Sequence, residues 1–331
     1  MKRIEGADMS VISSRDLTES LPEDRIVTAE DLRACLHVPS AVIETAHGPV
    51  EYAVRGQGPV VLVAHGGPGG YDQALVLGEL FRKNGFRIVA PSRPGYLGTP
   101  LGFGKTAEEQ GDLMAALLDA LHIPAAVMIG ASGGGPAGYQ LAQRHPGKVK
   151  ALLVIDGISM NYTKGEDISP VEEWMYLSRP GQWLMEFFFK HFPASVVTGF
   201  LRTESSLDKH EMGKRVREIV GDENKFALVD VMFQTMSHRF EERKAGARND
   251  IALGAAIGKL PLDGIRCPTL IIHGDADNDV PPRDAEYAHG AIAGSQLLWI
   301  DKASHIGFWT APDACKAQRY ALDWVRRHAA E

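Results

Sequence analysis

Cysteine is scarce in this chain: Cys35, Cys267 and Cys315 are all it has in 331 residues. They are odd in number, far apart and form no Cys-x-x-Cys pair. No disulfide framework is encoded, and a reducing compartment, the cytoplasm, is expected. Long apolar runs are also missing. The richest stretch, "WLMEFFFKHFPASVVTGFL", is interrupted by Glu186, Lys190, His191 and Pro193. It falls short of the roughly 18 apolar residues of a membrane span. The first twenty residues hold no apolar segment of the signal-peptide kind, so none is expected. Positive charge is not in excess. Thirty-five Lys and Arg stand against 42 Asp and Glu, for a net charge of -7, and the densest basic stretch, "RFEERKAG", is interleaved with acid. Nucleic acid is therefore not an expected partner. There is no His-Glu-x-x-His, no cysteine cluster and no glycine loop ending in Gly-Lys-Ser/Thr, so neither a metal nor an organic cofactor is expected.

What is present is ordinary globular material, 44% hydrophobic and 23% charged, enough for one domain of roughly 200–250 residues plus an insertion. Residues 1–40 read as an N-terminal extension with a short helix in "TAEDLRACL", opened by a Thr28…Asp31 cap. "AVIETA" and "VEYAVRG" flank "HGP" as a β-hairpin. The apolar runs "PVVLVA", "FRIVAP", "AAVMIG", "VKALLVID", "PTLIIHG" and "SQLLWID" suit strands buried on both faces of a parallel sheet. Helical patterns separate most of them. The expected fold is therefore α/β: a doubly wound, mostly parallel, eight-stranded sheet. The alternation stops between about Gly157 and Pro261, which reads as a helical lid inserted after the sixth strand. The expected division is a core of 41–157 and 262–331 and a lid of 158–261.

Ligands of doubly wound sheets meet the carboxyl ends of the strands. Four strand ends here carry chemically capable residues: "HGGPGG", "GASGG", "HGDADNDVP" and "DKASHIGFW". "GASGG" fits Gly-x-Ser-x-Gly, a sharp strand-to-helix turn that exposes a serine. Gly130 and Gly134 would let neighbouring backbone pack against that turn, and Pro136 suits the first turn of the next helix. On this motif alone a glycine turn without function is the competing reading. A serine hydroxyl needs a base, and the base an orienting acid. In the order Ser, Asp, His, the candidates are Ser132, Asp277 and His305. Asp275, Asp279 and Asp156 are rivals for the acid. His65 and His273, each before a glycine at a strand exit, suit structural hydrogen bonds better, and His289, within a helical pattern, reads as solvated. The amides of Gly67 and Gly133 are candidate oxyanion donors.

In this order and spacing, "HGGPGG", "SRPGYLGTP", "GASGGG", "CPTLIIHGDADNDVP" and "SHIGFW" resemble the α/β-hydrolase superfamily, over about Val42 to Arg327. The resemblance implies Ser132 as nucleophile, Asp277 as acid, His305 as base, and Gly67 with Gly133 as the oxyanion hole. "HGGPGG" is similar to the corresponding loop of proline iminopeptidases. Those usually carry a Gly-Gly-Ser-Trp-Gly elbow and an Asp-x-Arg-Gly-x-Gly-x-Ser segment, and this chain has neither. A peptidase would also need a lid carboxylate for the substrate amine, for which Glu172 and Glu173 are the candidates. An aspartate nucleophile, as in dehalogenases and epoxide hydrolases, does not fit Ser132. Carbon–carbon bond hydrolases fit the elbow as well as esterases do. A slow-turnover ligand receptor of the same fold would share every motif.

The lid is rich in aromatics. Most suit its own core, with Trp174, Trp183 and Phe187 the candidates to face a substrate pocket. The expectation is a serine hydrolase acting on an ester-type bond of a small, largely apolar molecule through an acyl-enzyme. A homo-oligomer is left open.

Overall fold

The structure, a computed structural model, describes residues 10–163 and 178–329. Nine strands form one sheet: β1 (Val11–Ser13), β2 (Ala41–Thr45), β3 (Gly48–Arg55), β4 (Val60–Ala64), β5 (Arg87–Pro91), β6 (Ala126–Ala131), β7 (Val149–Ile155), β8 (Thr269–Gly274) and β9 (Gln296–Ile300). Their order is β1-β9-β8-β7-β6-β4-β5-β3-β2. Only β3 runs antiparallel to its neighbours β5 and β2. The sheet has nine strands, one more than the sequence pattern implied. The extra one is β1, which lies parallel to β9 with Val11 opposite Leu297. Three residues are too short to show as an apolar run. The expected extension is thus tied into the sheet, and α1 (Ala29–Cys35) opens on the Thr28–Asp31 capping box.

The apolar strands face both ways because side chains alternate along a strand. Val61, Val63, Ile129, Leu153 and Ile272 join a core on one face with α1, α2 (Tyr71–Lys83) and α11 (Ala314–Ala329). Leu62, Ala64, Met128, Leu152 and Ile271 join a second core with α3 (Ala107–Ala120), α4 (Gly135–Arg144) and α10 (Arg283–Ala291). Each fully buried large aliphatic side chain is worth about 2 kcal/mol of transfer free energy. No helix among the described residues is long and apolar enough to cross a membrane.

Between β7 and β8 the described elements are helical: α5 (Arg179–His191), α6 (Pro193–Glu204), α7 (Lys209–Gly221), α8 (Glu223–Ser237) and α9 (Lys244–Ala256). They carry a small core of their own, in which Phe189, Val197, Leu201, Val216, Ile219 and Val229 close over Ile306, just past His305. The chain leaves β4 to form β5 on one side, then returns to form β6 on the other. That reversal opens a crevice at the carboxyl ends of β4 and β6.

Candidate active site

Ser132 follows β6 with φ +50, a left-handed conformation that costs a non-glycine residue about 1–3 kcal/mol. Its glycine neighbours allow it. A Cβ on Gly130 would lie 2.9 Å from Gly134 O, and one on Gly134 would lie 2.3 Å from Ala64 O and 2.6 Å from His65 O. Pro136 sits in the first turn of α4, which starts at Gly135 and points its positive end at the serine. Gly66 packs against Ser132, with a Cβ there 3.1 Å from the serine Cβ. Gly67 N lies 3.5 Å from the Cβ position of Gly133, so the two candidate amides are neighbours. Neither donates to backbone outside its own element among the described residues.

The loop after β8 brings Asp277 to His305, in the loop after β9. His305 Nδ1 lies 2.8 Å from Asp277 Oδ2, and the backbone N–H groups of Asp279 and Val280 donate to Asp277 Oδ1 at 2.8 and 3.0 Å. The end of α6 is stitched to both loops. His305 N and Asn278 N donate to Glu204 O, and Ser205 forms a bridge with Asp277. Burial lowers the pKa of His305, but the charges of Asp277 and Asp279 outweigh it and hold the imidazole well above its usual range. His305 Nε2 is 3.5 Å from Asp279 Oδ2. No hydrogen bond joins it to Ser132 Oγ among the described residues; such bonds commonly tighten when substrate binds.

The rival acids part company here. Asp156 lies against the same pair: Asp156, Asp277 and His305 offer polar atoms within 4.8 Å of one another. Asp156 accepts from Gly274 N at 2.9 Å, has φ +47, and its Oδ2 has no hydrogen-bond partner. Burial first, then the charge of Asp277, push its carboxyl well above the usual carboxylate range. Asp275 turns to Ala303 N instead. The other histidines hold structure. Buried His65 accepts Arg93 N–H at Nε2 and donates from Nδ1 to Gly66 O. His273 donates to Val280 O. His289 is not simply solvated as the sequence suggested: its two nitrogens meet Ser295 Oγ and Ser10 Oγ, tying β1 to α10.

Ser132, Gly66, Gly67 and His305 line one cavity of about 540 Å³, a size suited to a small organic ligand. Its other walls are mainly apolar and come from α5, α6 and α8, including Phe189, Phe200, Leu228, Met232, Phe233 and Met236. Trp183 and Phe187 do not line it, against expectation. They stack on each other at 5.9 Å on the outer face of α5, 65% and 41% exposed. Four residues apart, they share a helix face, while Phe188 and Phe189 carry the face that reaches the cavity. Trp174, Glu172 and Glu173 lie outside the described residues.

Sequence reasoning missed Arg93, Arg243 and Asp250. Arg93 and Arg243 are among the largest fully buried side chains. Arg93 pairs bidentately with Asp250 and Arg243 with Asp72. Arg93 had one available signal, a charged residue directly after an apolar strand.

The model of the family described as "alpha/beta hydrolase fold" matches residues 59–312. The chain belongs to the alpha/beta hydrolase fold family. It is similar to a solved "Alpha/beta hydrolase fold protein from Nakamurella multipartita", with 37% identity and a TM-score of 0.81, covering 88% of this chain and 100% of that one. A pimeloyl-[acyl-carrier protein] methyl ester esterase of Aromatoleum aromaticum (strain DSM 19018 / LMG 30748 / EbN1) is 30% identical over 240 residues, 70% of this chain and 85% of the relative. A 2-hydroxy-6-oxo-2,4-heptadienoate hydrolase of Pseudomonas putida (strain ATCC 700007 / DSM 6899 / JCM 31910 / BCRC 17059 / LMG 24140 / F1) is 27% identical over 252 residues, 75% of this chain and 82% of the relative.

Proposed function

We propose that this hydrolase cleaves an ester-type bond of a small, largely apolar substrate through an acyl-enzyme on Ser132. The observation that carries the reading is the meeting, at one cavity, of a strained strand-end serine and a histidine held at Nδ1 by a buried carboxylate. Asp277 fixes the Nδ1–H tautomer, leaving Nε2 free to take a proton. His305 accepts the Ser132 proton as Oγ attacks the carbonyl. The Gly67 and Gly133 amides receive the oxyanion. His305 then returns the proton to the leaving alkoxide, and later activates the water that releases the acid.

The wall favours an ester over the carboxylate-bearing substrate that the name of the Pseudomonas relative states. Among the described lining residues there is no lysine or arginine to receive a carboxylate; the polar groups include Gln73, Tyr162, Thr203, Glu204 and Asp279. The test is fluorophosphonate labelling with peptide mapping, run beside a panel of aryl esters, proline aryl-amides and a vinylogous 1,5-diketone. Label on Ser132, preference for the ester, and loss of turnover in a folded Ser132→Ala are expected. Full turnover in Ser132→Ala, or a strong preference for the amide or diketone, overturns the reading.

A further inference from the structure

The glycine loop after β4 has one internal side-chain bond, from His65 Nδ1 to Gly66 O, and is otherwise held from outside. Glycines impose little, and the oxyanion role proposed above requires its amides to face the serine. Every carbonyl of the loop that carries a side-chain bond is bound from outside, and Gly66 O alone is also bound from within, by His65 Nδ1 at 2.6 Å. Arg93 Nε donates to His65 O at 2.8 Å and Arg93 Nη2 to Gly66 O at 3.2 Å. Gln73 Nε2 donates to Pro68 O at 3.0 Å, and Arg243 Nη1 to Gly69 O at 2.7 Å. The Gly66–Gly67 peptide is trans and planar, so its C=O and N–H point in opposite directions. Holding Gly66 O against Arg93 therefore turns the Gly67 N–H away from Arg93, to the side on which Gly66 packs against Ser132.

Arg93 is fully buried, and its own position is set from the helical insertion. Asp250, on α9, takes Nη1 at 2.8 Å and Nη2 at 2.5 Å, and Tyr96 OH donates to its Oδ2 at 2.5 Å. Gly246 N, on the same helix, donates to Gly95 O at 2.8 Å. Asp250 Oδ2 comes so close to the loop that a Cβ on Gly67 would lie 2.6 Å from it. A carboxylate there would oppose a developing oxyanion if it stood alone. Its lone pairs are instead taken up by the guanidinium and the phenol.

The geometry points to Arg93 as the positioning residue of the oxyanion hole, aiming the Gly67 amide through the loop carbonyls, with Asp250 as the clamp by which α9 holds Arg93 in place. This rests on the serine-hydrolase reading above. It makes the insertion part of the machinery: α9 need touch no substrate to govern the stabilisation of the tetrahedral intermediate.

The experiment compares wild type, Ser132→Ala, Asp250→Asn and Tyr96→Phe. It measures 4-nitrophenyl butyrate turnover, inhibition by an aryl trifluoromethyl ketone that forms a tetrahedral adduct, and thermal unfolding. A misaligned donor should cost less than a deleted one, which removes about 10²–10³ in kcat. Asp250→Asn is expected to lower kcat roughly ten- to hundred-fold with KM within about two-fold, and to weaken ketone binding by the same factor as kcat. Tyr96→Phe, which deletes one bond to the same carboxylate, should move both in parallel by about three-fold and decides the matter if Asp250→Asn does not fold. Folded variants with lowered unfolding temperatures but unchanged kcat and ketone affinity overturn the clamp. So does a kcat loss without a matching loss in ketone affinity. An active Ser132→Ala overturns the underlying reading; an inactive one beside unaffected Asp250→Asn and Tyr96→Phe overturns the clamp alone.

Discussion

Replacing Asp277 by Asn should be the most damaging isosteric change in the protein after loss of Ser132 or His305. Asp277 Oδ1 accepts two backbone N–H groups, from Asp279 and Val280, and Oδ2 faces His305 Nδ1. An asparagine there has one oxygen and one NH₂. The oxygen must stay with the two backbone donors, because turning the amide over would set NH₂ against two N–H groups. The NH₂ therefore faces His305 and donates to Nδ1. Donation to Nδ1 forces the proton to Nε2, and a protonated Nε2 cannot take the serine proton. Triads of this kind lose about 10⁴ in kcat by this route, which is about 5 kcal/mol of barrier. Asp156→Asn provides the contrast. Its carboxyl does not contact His305 as Asp277 does, its pKa is pushed up by burial, and an amide oxygen can still accept from Gly274 N, so a loss below about ten-fold is expected. Both variants are read as kcat and kcat/KM on 4-nitrophenyl butyrate, with near-ultraviolet circular dichroism to show the fold intact. If Asp156→Asn is crippled and Asp277→Asn is mild, the acid has been assigned to the wrong strand end.

The remaining predictions concern charge and packing. Asp279 contributes to the raised pKa of His305, so Asp279→Asn should move the acid limb of kcat/KM to lower pH, since loss of the anion disfavours the imidazolium; a limb that stays or rises refutes this. Gly134→Ala should cost several kcal/mol or abolish folding, because a Cβ would meet Ala64 O at 2.3 Å; unfolding in urea measures it. Asp31 is held down at about 2, where burial alone would raise it, by its hydrogen bond from Lys83 and its bonds to Thr28. Its folded pKa is below the unfolded one, so its stabilisation is nearly complete above pH ~5 and is lost progressively as pH falls through ~2. Allowing for its partial exposure, Asp31→Asn should cost about 1 kcal/mol at neutral pH, only a small part of that at pH ~2, and nothing well below it.

The groups legible in the sequence are those that sit directly beyond a buried strand. An apolar run that stops at "GASGG" or "HGDADNDVP" marks both the element and the place where its end faces ligand. Ser132, Asp277 and His305 could therefore be picked out before their distances were known. What was not legible depends on partners far away in the chain. Arg93 and Asp250 are 157 positions apart, and neither has periodicity or a motif to announce the pairing. The aromatics of α5 failed for a different reason. Composition says that a helix has rings but not which of its faces the rest of the insertion covers, and Trp183 and Phe187 fell on the outer one. β1 was missed because Val11–Ser13 acquires its strand geometry only from pairing with β9.

The distribution of charge about Ser132 matches the direction in which charge would move during the acyl transfer proposed above. On the histidine side stand Asp277 and Asp279, with Asp156 buried behind them. There the imidazole becomes positive in the proposed step as it takes the serine proton, and nearby carboxylates favour that change. On the oxyanion side two half-buried carboxylates are each bound to an arginine, Asp250 to Arg93 and Asp72 to Arg243. Negative charge developing on the substrate oxygen in the proposed step thus meets amide donors beside paired carboxylates. Both arginines also hold carbonyls of the glycine loop, so the groups that cancel charge on that side are the ones that orient the dipoles there. A site arranged in this way need not reorganise as the reaction proceeds, and that is the condition under which fixed dipoles contribute most to lowering a barrier.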